Sequence, residues 1–212
     1  MSQYESFIDN KNSNVIYFII TASINDIEDI TRREQYINGI TSVLNYTTYL
    51  SNCKVIVVEN NGLRPTYLDS MGVDVYYTDN NSLGLEKGTT ELLDINACIN
   101  KYNIRDDDFV VKMTGRYKLD LNSPFMNEIS RLNTDTECII RYGSFYEPDN
   151  NKNDCITGLI GIRCKYIKMI KSSPIIEHAW AATSQLIEPS KVIVLNPLGI
   201  YICPGSNEYF LV

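Results

Sequence analysis

The sequence predicts a layered α/β fold on a central, mixed and mostly parallel sheet flanked by helices. Short β-branched and aromatic runs, of a length suited to strands buried on both faces, alternate with helical patterns through the first half of the chain. Most of these runs end in Asn, Asp and Gly, which favour a turn. The chain has 212 residues and a mass of 24.2 kDa, room for one generous core. No internal repeat, low-complexity tract or linker divides it, so residues 1–212 are read as a single domain.

The first strand is expected over Asn14–Thr21, in the run Val-Ile-Tyr-Phe-Ile-Ile, followed by a polar loop over Ala22–Asp29. From Thr31, the apolar residues Ile37, Ile40, Val43 and Leu44 recur at three and four, which predicts a helix with one buried stripe. Cys53–Val58 reads as a second strand closed by Glu59-Asn-Asn-Gly62, and Val73–Thr78 as a third. A second helix carries Leu92, Leu93, Ile95, Ala97 and Ile99 and leads to the run Asp106-Asp-Asp-Phe-Val-Val-Lys-Met-Thr-Gly115. Farther on, strands are expected at Cys138–Tyr142, Ile156–Arg163 and Lys191–Leu195, with a helix around Ile175–Leu186 and a tail containing Pro and Gly.

Charge and composition exclude several classes. Lysine and arginine number 19 against 26 acidic residues, a net charge of -7, so the chain lacks the field that holds a nucleic-acid backbone. A diphosphate remains accessible, because it needs only a local cluster of cations. Six cysteines lie far apart without a C-x-x-C pair and read as core thiols. The longest apolar run, Val15–Ile20, is far short of a membrane span and no basic segment precedes it, which points to a cytoplasmic protein with no anchor.

In an open α/β sheet, ligands bind in the loops after the carboxyl ends of the parallel strands. Four such loops, Thr21–Asp26, Glu59–Gly62, Asp79–Gly88 and Thr114–Lys118, are rich in Asp, Asn, Glu, Gly, Lys and Arg. The chain has no G-x-x-x-x-G-K-[ST], no G-x-G-x-x-G after the first strand and no G-x-S-x-G, which disfavours a phosphate-loop ATPase, a dinucleotide-binding dehydrogenase and an α/β-hydrolase.

These segments, in this order, resemble the GT-A-fold glycosyltransferases, which move a sugar from a nucleotide diphosphate to an acceptor. Val-Ile-Val-Val-Glu59 looks like the family strand whose terminal acid contacts the nucleotide base; the segment with Asn80, Asn81, Gly84 and Lys87 looks like the one that opens a helix toward the sugar nucleotide. Asp-Phe-Val-Val-Lys112-Met-Thr-Gly-Arg116-Tyr stands where most members carry a metal-binding D-x-D, and Thr114-Gly115-Arg116 cannot supply those carboxylates. Among small members, the sequence is most similar to the single-domain glycosyltransferases of large algal DNA viruses, the chloroviruses, which act on capsid glycans.

The resemblance implies a donor-binding half over residues 1–118 and a sugar and acceptor half over 119–212. It implies a UDP-sugar donor, UDP-glucose or a related hexose, and a glycan or glycoprotein acceptor. Thr21, Glu59, Asn81, Lys87, Lys112 and Arg116 are the candidate donor contacts, with Glu59 accepting the imide N–H of uracil, where cytosine presents an acceptor. Arg116 is the first candidate for the diphosphate because its planar fork bonds two oxygens at once, whereas Lys112 fits a salt bridge to a buried carboxylate nearly as well.

Asp79, ending its strand on the ligand side, is the candidate ligand for Mn²⁺ or Mg²⁺. The triplet Asp106-Asp107-Asp108 precedes its strand and belongs at the opposite end of the sheet. Arg32 and Arg33 open the first helix near the same face, and a solvated helix surface accounts for them as well as a ligand does. For the acceptor, Asp154 and Glu177 are candidate bases and His178 a neighbour, although Trp180 and His178 fit a core Trp with a satisfied His equally well. Retaining and inverting chemistry both remain open, as do a sugar nucleotidyltransferase and a non-catalytic nucleotide-sugar or partner-binding module.

Overall fold

The computed structural model describes residues 14–144, 151–203 and 208–212. Strand β1 (Ile16–Ala22) is buried along nearly its whole length, and its side chains alternate between two cores: Ile19 packs on one side, Phe18 and Ile20 on the other. Helix α1 (Ile30–Thr47) starts where the Asp29 carboxylate accepts the Arg32 N–H, and it buries Tyr36, Ile40 and Val43. Strands β2 (Cys53–Glu59) and β3 (Asp74–Tyr77) follow, then helix α2 (Lys87–Lys101) and β4 (Phe109–Thr114). β1 pairs in parallel with β2 and with β4, and β2 in parallel with β3.

The rest of the chain adds β5 (Lys118–Leu119), α3 (Pro124–Ser130), β6 (Cys138–Ile140), β7 (Leu159–Arg163), α4 (Cys164–Ile167), α5 (Ile176–Ser184), β8 (Val192–Val194), β9 (Ile200–Ile202) and β10 (Phe210–Leu211). Among the described residues, the main sheet has seven strands in the order β3-β2-β1-β4-β7-β6-β8, and β7 is antiparallel to both neighbours. A second, three-stranded sheet has the order β10-β9-β5. Ile19, Val58, Val110, Ile162 and Trp180 share one core, while Phe18, Val57, Val111, Phe125 and Leu198 share the other. Each such side chain, fully buried, contributes about 1.5–3 kcal/mol, so the sheet is held from both faces.

The expected strands and helices of the first half are present within two or three residues at their ends. The second half departs more. Only Cys138–Ile140 of the Cys138–Tyr142 run is a strand, with Tyr142 in an isolated bridge to Cys155, and the Ile156–Arg163 strand begins at Leu159. Helix α3 and the three-stranded sheet were not expected, since strands of two or three residues carry no readable period. None of the six cysteines forms a disulfide; five are buried and Cys53 is half-buried. The Pro204–Gly205 part of the tail lies outside the described residues. Among the described residues, no helix is long and apolar enough to cross a membrane.

The acidic triplet lies at the amino end of β4, as its position before the strand implies. Asp108 accepts the Val15 N–H at 3.0 Å and pairs with Arg105 at 2.8 Å, tying β4 to the start of β1 far from the ligand side.

Candidate functional site

The chain lays β2 and β3 on one side of β1 and returns with β4 on the other, so the topology switches between β1 and β4. A cavity of about 400 Å³ opens at the carboxyl ends of these strands. Thr21 and Thr114 contribute to its floor, α1 supplies Arg32 and Tyr36, α2 supplies Lys87, Glu91 and Asp94, and α5 supplies Glu177. Gly115 permits the close approach that seats Arg116 beside it. Its N–H donates to Thr21 O at 2.9 Å, and a Cβ there would lie 2.9 Å from that oxygen and 3.0 Å from Tyr36 Cδ1.

The loop after β1 is clipped on both sides. Ser23 N–H donates to the Tyr36 hydroxyl at 2.8 Å, and burial pushes that phenol's pKa upward, which keeps it neutral. Glu59 is fully buried. Its carboxylate accepts from Ile24 N at 3.0 Å, Asn61 Nδ2 at 2.7 Å and Asn61 N at 3.2 Å, with the Arg64 guanidinium 3.6 Å away. Glu59, the residue expected to contact a base, is not among the residues lining the cavity: its oxygens are engaged within the protein, and the carboxylate shapes the loop. The polar groups presented to the cavity on this side are the amides of Asn25, Asn60 and Asn81, with Asn81 Nδ2 donating to Asn61 Oδ1 at 2.7 Å.

Lys112 is 1% exposed, and its ammonium lies 2.8 Å from Glu91 Oε2 while donating to Thr114 Oγ1 at 3.1 Å and to the Thr157 carbonyl. The other Glu91 oxygen accepts from Thr21 Oγ1 and, at 3.3 Å, from Thr114 Oγ1. Lys112 is thus the buried ion pair that the sequence allowed and does not line the cavity. Thr21 does line it, with its hydroxyl turned to Glu91.

Asp94 is fully buried and accepts from Asn60, Thr78 and Asn80 at 2.7–2.9 Å. Burial pushes its carboxyl above the ordinary range, against the pull of those three hydrogen bonds, and the nearby Glu91 charge adds to the rise.

Arg116, Lys87 and Arg32 line the cavity without side-chain hydrogen-bond or ion-pair partners among the described residues. The Arg32 Nε is buried and unsatisfied. Glu177 also lines the cavity, and Thr157 Oγ1 donates to its Oε1 at 3.4 Å.

Three candidates fall elsewhere. Asp79 is exposed and faces a separate hollow with Tyr76, Tyr77 and Ala97, because the turn of Asn80–Leu83 directs it away from the strand ends. Asp154 lies in the turn before β7, where its carboxylate accepts the Cys155 N–H at 2.8 Å, and Thr157 and Gly158 reach the cavity in its place. His178 is exposed on the first turn of α5 outside the cavity lining, and Trp180, 2% exposed, belongs to the core.

Glu91, Asp94 and Asn60 were not singled out in the sequence. Their signal was nevertheless present on α2: Lys87, Glu91 and Asp94 recur at four and three, a polar stripe ahead of the apolar Ile95, Cys98 and Ile99.

No family model and no curated protein sequence matches the chain. Solved structures do. Glucosyl-3-phosphoglycerate synthase from Mycobacterium tuberculosis superimposes with a TM-score of 0.52 at 11% identity, covering 85% of this chain and 69% of that one. A protein of Desulfovibrio desulfuricans G20 assigned as a nucleotide-diphospho-sugar transferase gives 0.50 at 12% identity, covering 86% and 80%. A glycosyltransferase involved in glycosylation of the major capsid of PBCV-1 gives 0.49 at 12% identity, covering 85% and 81%. The strand order, the single reversed strand among the described residues and the superpositions on the M. tuberculosis and D. desulfuricans structures identify the chain as having the GT-A-like fold of nucleotide-diphospho-sugar transferases.

Proposed function

We propose that the chain is a glycosyltransferase that moves a hexose, glucose or a close relative, from a UDP-sugar to a hydroxyl of a glycan or glycoprotein. The observation that carries this reading is the cavity at the β1/β4 switch, where Arg116 and Lys87, unpaired among the described residues, and the carboxylate of Glu177 line one space sized for a small ligand. The M. tuberculosis protein of the same fold was solved with UDP, which supports this donor class.

In this reading the Asn25, Asn60 and Asn81 amides meet the base with the donor and acceptor capacity that their bonds to Asp94 and Asn61 leave over. Arg116 bonds two oxygens of the diphosphate and stabilises the charge that grows there as the glycosidic bond to phosphate breaks. Glu177 accepts the proton of the acceptor hydroxyl as its oxygen attacks the anomeric carbon, with Thr157 orienting the carboxylate. That assignment makes the enzyme inverting.

The test is UDP release from UDP-glucose and related UDP-hexoses, with and without a glycan acceptor, alongside calorimetric binding of UDP. Saturable UDP binding with acceptor-stimulated release that Glu177→Gln abolishes is the expected result. Binding without turnover for any sugar donor would make the chain a binding module, and formation of a sugar nucleotide from a nucleoside triphosphate would make it a nucleotidyltransferase.

A further inference from the structure

A divalent ion that bridges a diphosphate needs carboxylate oxygens that face the ligand and are free to leave their protein partners. Among the described residues the cavity offers three carboxylates, and they do not fit. Both oxygens of Glu91 are engaged, one by Lys112 and one by the hydroxyls of Thr21 and Thr114. Asp94 is sealed under three hydrogen bonds. Glu177 stands alone on α5, and Asp79 faces a different hollow. Among the described residues, no group of three His, Cys, Asp or Glu side chains is placed to hold a metal ion.

The cationic side of the same cavity shows the opposite condition. A buried guanidinium N–H without an acceptor is costly to leave unmade, and Arg32 Nε is one. Arg32 sits in the first turn of α1 and Arg116 just beyond β4; both line the cavity, and neither has a side-chain hydrogen bond or ion pair among the described residues. Lys87, exposed at the start of α2, adds a third cation. Guanidinium forks match phosphate oxygens in geometry as well as charge, so two of them can do by hydrogen bonding what a bridging ion does by coordination.

We propose, resting on the reading of this cavity as a donor site, that Arg32 and Arg116 clamp the diphosphate of the nucleotide directly, with Lys87 beside them, and that donor binding requires no divalent metal. Arg32 is the residue this adds, and its unsatisfied Nε is what an anionic phosphate oxygen would satisfy.

Calorimetric titration of UDP into the full chain tests the clamp in EDTA and again with Mn²⁺. Dissociation constants within about threefold of each other are expected, with Arg32→Gln weakening UDP about 10-fold to 100-fold in EDTA, the loss of charge-assisted bonds. Arg33→Gln makes the same change in net charge on the exposed face of α1, where Arg33 lies 5.2 Å from the Tyr67 ring, and should leave UDP affinity unchanged. Should Arg32→Gln lower the melting temperature, Arg32→Lys keeps the charge, loses the fork and is expected to weaken UDP in the same direction. UDP binding that EDTA abolishes and Mn²⁺ restores, or equal affinity in wild type, Arg32→Gln and Arg32→Lys, would overturn the clamp and leave the donor site standing. Absence of binding by UDP, GDP, CMP and dTDP in both conditions would overturn the donor site itself and the clamp with it.

Discussion

Glu91 and Lys112 meet at 2.8 Å beneath the cavity, one from the second turn of α2 and the other from the middle of β4. The pair fixes the helix to the strand end at the level where Thr21 and Thr114 present their hydroxyls. Removing one partner leaves a buried charge, so Lys112→Met or Glu91→Leu alone should cost about 3 kcal/mol, the low end for a buried pair because Glu91 is partly exposed. The double substitution should recover most of that loss, read as the urea midpoint. A double variant that loses the sum of the two single losses would show that the residues act separately.

Glu59 is a fully buried acid, and its role is local. Glu59→Gln keeps the shape but loses the charge that Ile24 N–H, Asn61 and Arg64 address, so stability should fall by about 1.5–3 kcal/mol. The ratio of UDP to CDP affinity should stay within about twofold of wild type, since amides can turn to serve either pyrimidine. A collapse of that ratio with stability intact would return base selection to Glu59.

The fold was legible where apolar period and length agree. β1, β2 and β4 are runs rich in β-branched and aromatic residues, and the loops after these strands and after β3 were found from the strand ends, which placed Thr21, Asn81, Lys87 and Arg116 in the cavity lining. What sequence could not show was side-chain direction. Glu59 ends β2 and Asp79 lies two residues past the end of β3, yet one turns inward to a loop backbone and the other outward to a separate hollow. Glu91 was hidden for the same reason, because a helical acid is exposed in most contexts and only the position of Lys112 beneath it makes it part of the site.

Asp108 should govern acid sensitivity. Burial opposes its ionisation, but hydrogen bonds from the Arg105 side chain and from the Val15 and Arg105 N–H groups outweigh it and hold the carboxyl below its ordinary value of 3.8. A carboxylate held low contributes stability that is fully present above its unfolded value and is lost as pH falls through the lower folded one. Melting temperature should therefore drop more steeply in wild type than in Asp108→Asn between about pH 4 and about pH 2. Asp94 works with the opposite sign, since its raised pKa makes protonation on acidification favour the folded chain. Parallel curves for wild type and Asp108→Asn would remove Asp108 from the account.

Gly39 should couple α1 to the turn that carries Arg116. A Cβ at this position would run into the carbonyl oxygens of Gly115 and Tyr117, backbone atoms that cannot rotate away. Gly39→Ala should cost about 1–3 kcal/mol through overpacking and, by displacing the turn, weaken UDP binding as well. Asn38→Ala, on the exposed neighbouring position, should change neither. Lost stability with unaltered UDP affinity would mean that the helix can shift without moving Arg116.

Arg116 separates ligand chemistry from architecture. Its guanidinium has no hydrogen-bond or ion-pair partner among the described residues, so none of these residues depends on its fork. Arg116→Lys retains the charge and should leave the melting temperature within about 2 °C of wild type, the range of a surface substitution. The donor diphosphate does depend on the fork, and it does so most when the leaving-group charge is greatest, in the transition state. Turnover of UDP-sugar should thus fall more than UDP affinity, by about 30-fold to 1,000-fold, the equivalent of about 2–4 kcal/mol of lost transition-state stabilisation. If Arg116 instead holds its loop, the same variant should melt early and bind UDP almost normally; both readouts on one purified protein decide the matter.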